Sequence, residues 1–152
     1  MKIELKHLAP YLPYGLKIRC FRKGEKLFLE DIILTGEILD YILSEDANRY
    51  NYHKPILRNL SDLTKEIERN GEKFIPIYKL WELAGFEIGR GQYIEETPNF
   101  IKTSNLGTAQ EFRISTFDIL SSNYNVIQKL LEWHFDIFGL IEQGLAIDLN
   151  TL

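Results

Sequence analysis

The sequence predicts a mixed α+β fold: an N-terminal antiparallel β-meander packed with about three helices, the last of them long. Apolar and charged residues alternate near the N-terminus, which is typical of half-buried strands, whereas helical spacing appears later in the chain. Strand and helix patterns do not alternate regularly, so a doubly wound parallel sheet is not expected. A chain of 152 residues predicts a single globular domain over residues 1–152.

Composition limits the functions to be considered. The net charge of −4 argues against extensive nucleic-acid binding but leaves room for a local basic patch. The single cysteine, Cys20, excludes an internal disulfide, and its place in a strand-like run predicts a small core residue. The N-terminus has no continuous apolar stretch, and no uncharged run reaches membrane-spanning length. We therefore expect a cytoplasmic protein without membrane contact.

The first predicted elements are strands. Residues 8–15 contain two prolines and a glycine, which predicts a rigid, extended or turning lead-in. Alternation then predicts a strand over residues 16–22, a turn at 23–25 and a second strand over 26–34. Residues 38–43 fit either a third strand or a short helix, and the two turns before them favour a strand that completes the meander.

Polar and helical segments follow. Residues 44–54 are polar and predict a loop. A short helix comes next, with Asn59 or Ser61 as its N-cap and Asn70-Gly71 as its left-handed stop. The apolar face of this helix consists of Leu60, Leu63, Thr64 and Ile67.

Pro76 opens the next predicted helix, because proline is tolerated in a first turn, and Gly85 ends it. The buried stripe of this helix consists of Ile77, Leu80, Trp81 and Ala84. Residues 86–94 predict a small hairpin, residues 95–110 a surface loop, and residues 112–117 a strand.

The C-terminal region predicts the longest helix. From Tyr124 to Ile141 the apolar residues fall in adjacent pairs, which gives a helix with a wide apolar face. Residues 121–123 cap it, Gly144 closes it, and the alternating tail 145–149 packs back. Such a face serves two contacts, so we expect part of it to bind a protein partner or a second copy. The candidate residues are Trp133, Ile137, Leu140 and Ile141.

Basic residues cluster over the first predicted hairpin. They are Lys17, Arg19, Arg22, Lys23 and Lys26. The functional interpretation is a phosphate-binding edge, with Tyr50 and Tyr52 as residues that can stack on bases. The structural alternative is an edge hairpin that charge protects from aggregation. The negative net charge and the lack of an aromatic platform beside the cluster favour this alternative, so nucleic acid is the less favoured partner.

No residue pattern predicts catalysis, a metal or a cofactor. His134 lies on the apolar face of the last predicted helix, where a ring nitrogen satisfied by backbone or by a carboxylate is the simpler interpretation. A joint site with Asp136 would need a break in the helix, because residues i and i+2 point apart. A small hydrolase or nuclease would have to gather His134 or His53 with distant carboxylates, and it is the least favoured hypothesis.

Four strings of sequence resemble a family of small uncharacterised proteins encoded in gut bacteria and in their phages and prophages. They are His7–Leu16, Lys54–Thr64, Gly71–Ile77 and Leu130–Leu152, and together they cover about a third of the chain. The resemblance implies an association with phages or mobile elements, and it carries no activity or catalytic residue. We therefore predict a non-catalytic phage accessory protein that acts by protein–protein contact, with a nucleic-acid-associated regulator as the alternative.

Overall fold

The computed structural model describes residues 2–24, 27–44, 51–86, 92–97, 99–105, 110–116 and 118–152. The predicted mixed α+β class is confirmed. The chain divides into two compact units: unit 1 comprises Met1–Asn59 and Leu131–Leu152, and unit 2 comprises Leu60–Leu130. That they fold together as the single predicted domain stays a prediction.

Unit 1 is built on a four-stranded sheet with the strand order β2-β1-β3-β9. Its strands are β1 (Lys17–Arg22), β2 (Leu27–Ile33), β3 (Asn51–Leu57) and β9 (Ile147–Asp148). Its helices are α1 (Leu5–Leu8), α2 (Gly36–Leu43) and two 3₁₀ helices, Ala9–Tyr14 and Leu149–Thr151. β1 pairs antiparallel with both β2 and β3, and β9 pairs in parallel with β3. The prediction that the tail packs back is thus confirmed.

The third strand of the predicted meander is a helix, so the preference for a strand over residues 38–43 was wrong. The Thr35 hydroxyl accepts a hydrogen bond from the Ile38 amide and caps the first turn of α2. Leu39 and Ile42 are buried at helical spacing. The third strand comes instead from β3, which occupies part of the predicted loop 44–54. Residues 45–50 lie outside the described residues.

Unit 2 contains a hairpin, a helix and a meander. Its strands are β4 (Ile67–Arg69), β5 (Glu72–Phe74), β6 (Gln92–Thr97), β7 (Phe100–Asn105) and β8 (Glu111–Ser115). Its helices are α3 (Pro76–Leu83), the 3₁₀ helices Leu60–Thr64 and Ile119–Ser121, and the greater part of α4 (Tyr124–Glu132). The helix predicted from Pro76 to a glycine stop is confirmed, because Gly85 has a φ of 85°. The predicted hairpin over 86–94 falls mostly on residues 87–91, which lie outside the described residues.

Two sequence predictions in unit 2 are corrected. Asn70 and Gly71 do adopt positive φ angles, 52° and 81°, but they form the hairpin turn between β4 and β5 rather than the end of a helix. The predicted loop over 95–110 contains the end of β6 and all of β7. Its polar residues belong to strands because they pair across the sheet, and Thr103 is fully buried there.

The long C-terminal helix is also corrected. Helix α4 spans Tyr124–Glu132, nine residues, and the predicted packing of three helices against the meander is not confirmed. The chain leaves the helix at His134, which has a φ of 61°, and Arg58 then exchanges backbone hydrogen bonds with His134 and Asp136. A series of turns follows to Gly144. Tertiary pairing with β3's neighbour Arg58 therefore overrides the helical periodicity beyond Glu132.

Candidate functional site

Strand β2 forms one edge of the sheet in unit 1. It pairs with β1, and no second strand of the described residues flanks it. Three large apolar side chains on it are strongly exposed: Phe28 at 50%, Leu29 at 38% and Ile33 at 49%. Natural edge strands are usually short, covered or rich in charge, because open backbone groups invite pairing with another chain. An edge with exposed apolar side chains and no further strand beside it in the described ranges is a candidate binding surface.

A bulge and an ion pair shape this edge. Cys20 lies opposite Glu30 while Phe21 lies opposite Phe28, so Leu29 is the extra residue of the bulge. Asp31 makes a bidentate pair with Arg19, with N–O distances of 2.7 and 2.8 Å. Hydrogen bonding to Arg19 lowers the pKa of Asp31, and the same bond raises the pKa of the guanidinium. Glu30 has no ion-pair partner among the described residues.

The outer face of the sheet carries aromatic and basic side chains together. The rings of Phe21 and Tyr52 stack across β1 and β3, with 4.8 Å between centroids and an interplanar angle of 8°. The Arg19 guanidinium lies 4.7 Å from the centroid of the Phe28 ring. Lys17 and Lys54 share this face, because they flank Arg19 along β1 and across from it on β3. The aromatic platform that the sequence did not reveal is therefore formed by cross-strand neighbours.

Four of the five predicted phosphate-binding residues lie in the part of the chain that the structure describes. Lys17, Arg22 and Lys23 are exposed, but the charge of Arg19 is engaged by Asp31. Lys26 lies outside the described residues. The exposed charge on the outer face thus comes mainly from Lys17, together with the half-buried Lys54. Lys54 lies in β3, where the sequence predicted a loop.

The opposite face of the sheet holds a cysteine–histidine contact. The Sγ atom of Cys20 lies 3.4 Å from Nε2 of His53, and both residues are buried. Burial, with the Glu30 carboxylate second, raises the pKa of the thiol, and burial lowers the pKa of His53. A nucleophilic thiolate beside an imidazolium needs the opposite shifts. The prediction of Cys20 as a core residue is confirmed.

The four predicted partner-binding residues belong mainly to the core. Trp133, Ile137 and Leu140 are 6%, 4% and 0% exposed, and only Ile141 is half-buried. The wide apolar face thus serves burial in unit 1 at Trp133, Ile137 and Leu140, and a partner-binding role for these residues stays a prediction.

His134 and Asp136 have structural partners. A ring nitrogen of His134 lies 2.8 Å from the carbonyl oxygen of Tyr14, as the simpler interpretation predicted. The Asp136 carboxylate accepts hydrogen bonds from the amides of Leu140 and Ile141, at 2.9 and 2.7 Å. Within the described part of the chain, no three His, Cys, Asp or Glu side chains gather as a metal site would require.

The chain matches no protein family model, no curated protein and no solved structure at a significant level. Among the described residues, no helix combines the length and the apolar character needed to cross a bilayer.

The exposure of apolar side chains on β2 was not predicted from the sequence. Phe28, Leu29 and Ile33 stand in a strand that was correctly predicted, but its place at the edge depends on pairing with β1 alone. The available signal was the number of large apolar residues in β2 and the absence of strict alternation there. This pattern is unusual for a strand with one buried face.

Proposed function

We propose that the protein is a non-catalytic binding protein that captures an extended segment of a partner protein along β2. One observation carries the proposal: an edge strand with three exposed apolar side chains and no described strand beside it. Backbone N–H and C=O groups on such an edge bind an added strand, and side chains on either side give specificity. The bulge at Leu29 limits the length that can pair, which favours a short segment.

The partner segment carries a basic residue. Glu30 stands in the middle of the edge without an ion-pair partner among the described residues, whereas the neighbouring Asp31 is neutralised by Arg19. A lysine or arginine opposite Glu30 therefore adds a favourable cross-strand pair. A second copy of the chain is a poorer occupant, because antiparallel pairing about the centre of β2 would place Glu30 opposite Glu30.

Reversing the charge of residue 30 and that of the bound peptide tests this proposal. The probes are two labelled seven-residue peptides, one alternating valine with lysine and the other alternating valine with glutamate. We expect the wild-type protein to prefer the lysine peptide, and Glu30→Lys to reverse that preference. The double substitution F28T/I33T should weaken binding of the lysine peptide at least about tenfold, because each exposed apolar side chain buried is worth about 1.5–3 kcal/mol. Fluorescence anisotropy measures both effects.

Leu83→Gln is the matched control, since Leu83 is an exposed apolar residue on α3, 46% exposed, outside the proposed surface. Amides of β2 should also become protected from hydrogen exchange when the lysine peptide binds. Equal binding of both peptides by Glu30→Lys, or an unchanged affinity in F28T/I33T, would contradict the proposal. If light scattering shows that the wild-type protein is a dimer and that F28T/I33T is a monomer, the β2 edge serves self-association instead.

Single-stranded nucleic acid is the second candidate, favoured by the outer face of the sheet. Stacking on an aromatic side chain contributes about 1–3 kcal/mol per base, and lysines beside the ring contact phosphates. Phe21 and Tyr52 provide the stacked rings, and Lys17 and Lys54 provide the charge.

The test is a twelve-nucleotide oligothymidylate titrated at several salt concentrations. We expect K17Q/K54Q to lower the slope of log affinity against log salt by about one to two units. Lys73→Gln, on exposed β5, should leave the slope unchanged. Affinity that does not depend on salt, or no binding at low salt, would exclude this second function.

The biological setting is part of the proposal. We place the protein among cytoplasmic accessory proteins of phages or prophages, supported by the four strings of resemblance and by the binding surface on β2. Transcription of its gene after induction of a resident prophage is the direct measurement, and a constant transcript level would argue against this setting.

A further inference from the structure

We propose that unit 1 also has a binding site for a small organic anion, in a cavity beside β3 that is separate from the β2 edge. Strand β9 pairs with β3 only at Ile56 and Leu57. The rest of that edge of β3 is not covered by β9, and a cavity of about 200 Å³ opens there. Its lining includes Tyr52, His53 and Lys54 from β3.

The charge of the cavity is positive. Lys2 and Lys54 line it, and its described lining contains no carboxylate. Neither lysine has an ion-pair partner in the part of the chain that the structure describes. Two ammonium groups at the walls of a concave, partly apolar site raise the local concentration of anions. The ligand therefore carries a negative group.

The remaining walls select an apolar body of limited size. Ile3, Ile42 and Leu145 supply aliphatic surface. A dry cavity of about 150 Å³ is known to hold benzene, so about 200 Å³ holds a ring or a short branched chain with one polar group attached. This size excludes a whole dinucleotide or a long lipid chain.

His53 adds a second, independent observation. Its side chain is 7% exposed, its Nε2 faces Cys20, and its Nδ1 is a buried nitrogen without a hydrogen-bond partner. Buried polar atoms are satisfied in the great majority of cases, and exceptions mark functional positions often enough to be informative. His53, which lines the cavity, thus keeps one ring nitrogen that the described part of the protein does not satisfy.

A carboxylate and a phosphate monoester share this chemistry, and a titration distinguishes them. The full-length protein is followed in ¹H–¹⁵N correlation spectra with benzoate, phenyl phosphate, inorganic phosphate and the neutral benzyl alcohol. We expect one of the two organic anions to shift the amides of the cavity residues with a Kd on the order of 1 mM or tighter. Benzyl alcohol and inorganic phosphate should each bind at least about fivefold more weakly, since each lacks half of the recognised chemistry.

Variants locate the bound anion. Lys2→Gln and Lys54→Gln should each weaken binding about threefold, as expected for a partly exposed ion pair. Leu145→Phe should abolish binding by filling the cavity, while Lys73→Gln is the control that leaves the Kd unchanged. Lys2 is exposed and Lys54 is half-buried, so both lysine substitutions remain informative if Leu145→Phe fails to fold.

Three results would overturn the proposal. The first is the absence of shifts at the cavity amides with either organic anion. The second is benzyl alcohol binding as tightly as the anions, which would define an apolar cavity without charge preference. The third is an anion bound by surface lysines outside the cavity. Either of two measurements would show this: inorganic phosphate binding as tightly as phenyl phosphate, or well-folded Leu145→Phe binding the organic anion with an unchanged Kd.

Discussion

His53 shows how one residue links the core to the surface. It contacts Cys20 on one side, meets the edge of the Tyr41 ring on another at 5.6 Å between centroids, and lines the cavity. The sequence predicted a loop at His53, because the residues around it are polar. Only pairing with β1 places it at Cys20, and no local pattern contains that information.

Burial of His53 predicts a pH dependence of stability. Because burial lowers its pKa below 6.5 in the folded state, the unfolded state binds the proton more readily as the pH falls below 6.5. The free energy of unfolding should therefore fall between pH 7 and pH 5, by at most about 1.4 kcal/mol per pH unit for one proton. Urea unfolding at several pH values measures this slope.

In His53→Gln, the slope of the free energy of unfolding against pH should flatten over the same pH range, whatever the change in overall stability. His7→Gln is the comparison, because it removes a histidine that does not contact Cys20. A slope unchanged in His53→Gln would show that other groups titrate in this window.

At the scale of elements, the sequence predicted structure that depends on local patterns, but it did not predict which distant segments pair with one another. β1, β2, α3 and the returning tail were predicted because alternation, a first-turn proline and a terminal glycine act locally. The third strand, the polar β7 and the end of α4 depend on distant partners. Helical periodicity beyond Glu132 remains in the sequence, but there it serves burial in a series of turns.

Asp136 stabilises that series of turns, and its removal should be costly. The buried carboxylate accepts hydrogen bonds from the amides of Leu140 and Ile141. Asp136→Ala leaves both amides without this acceptor, so we expect a loss of about 2–4 kcal/mol in the free energy of unfolding. Asp136→Asn retains one acceptor oxygen and should lose less.

Urea denaturation of both variants provides the measurement, and Asp118→Ala is the control because that carboxylate is exposed. A loss below about 0.5 kcal/mol in Asp136→Ala, the range usual for surface substitutions, would show that the turns hold without it.

At the scale of the whole molecule, unit 1 is discontinuous in sequence, and β9 closes it. β9 pairs in parallel with β3 at Ile56 and Leu57, across an intervening segment that forms unit 2. Parallel pairing at such sequence distance gives no local signal, which is why the tail was predicted to pack back without a partner being named. The candidate surface at β2 was likewise invisible until the strand order was known.

Removal of residues 147–152 should loosen the sheet of unit 1. Without β9, the one of the Ile56 and Leu57 amides that points toward β9 loses its hydrogen-bond acceptor, and we expect its hydrogen exchange to accelerate at least about tenfold, since one hydrogen bond contributes about 1–1.5 kcal/mol. Removal of Leu152 alone, an exposed residue, is the control. Unchanged exchange at both amides would mean that β9 contributes no protection.

The late position of β9 also orders events during synthesis. Residues of β1, β2 and β3 leave the ribosome early, yet their sheet stays incomplete until residue 148 has emerged. At about 5–20 residues per second, the segment between takes on the order of ten seconds to translate. Throughout that interval Ile56 and Leu57 of β3 lack the strand that pairs with them in the finished sheet, and a chaperone that binds extended apolar segments would meet the nascent chain then.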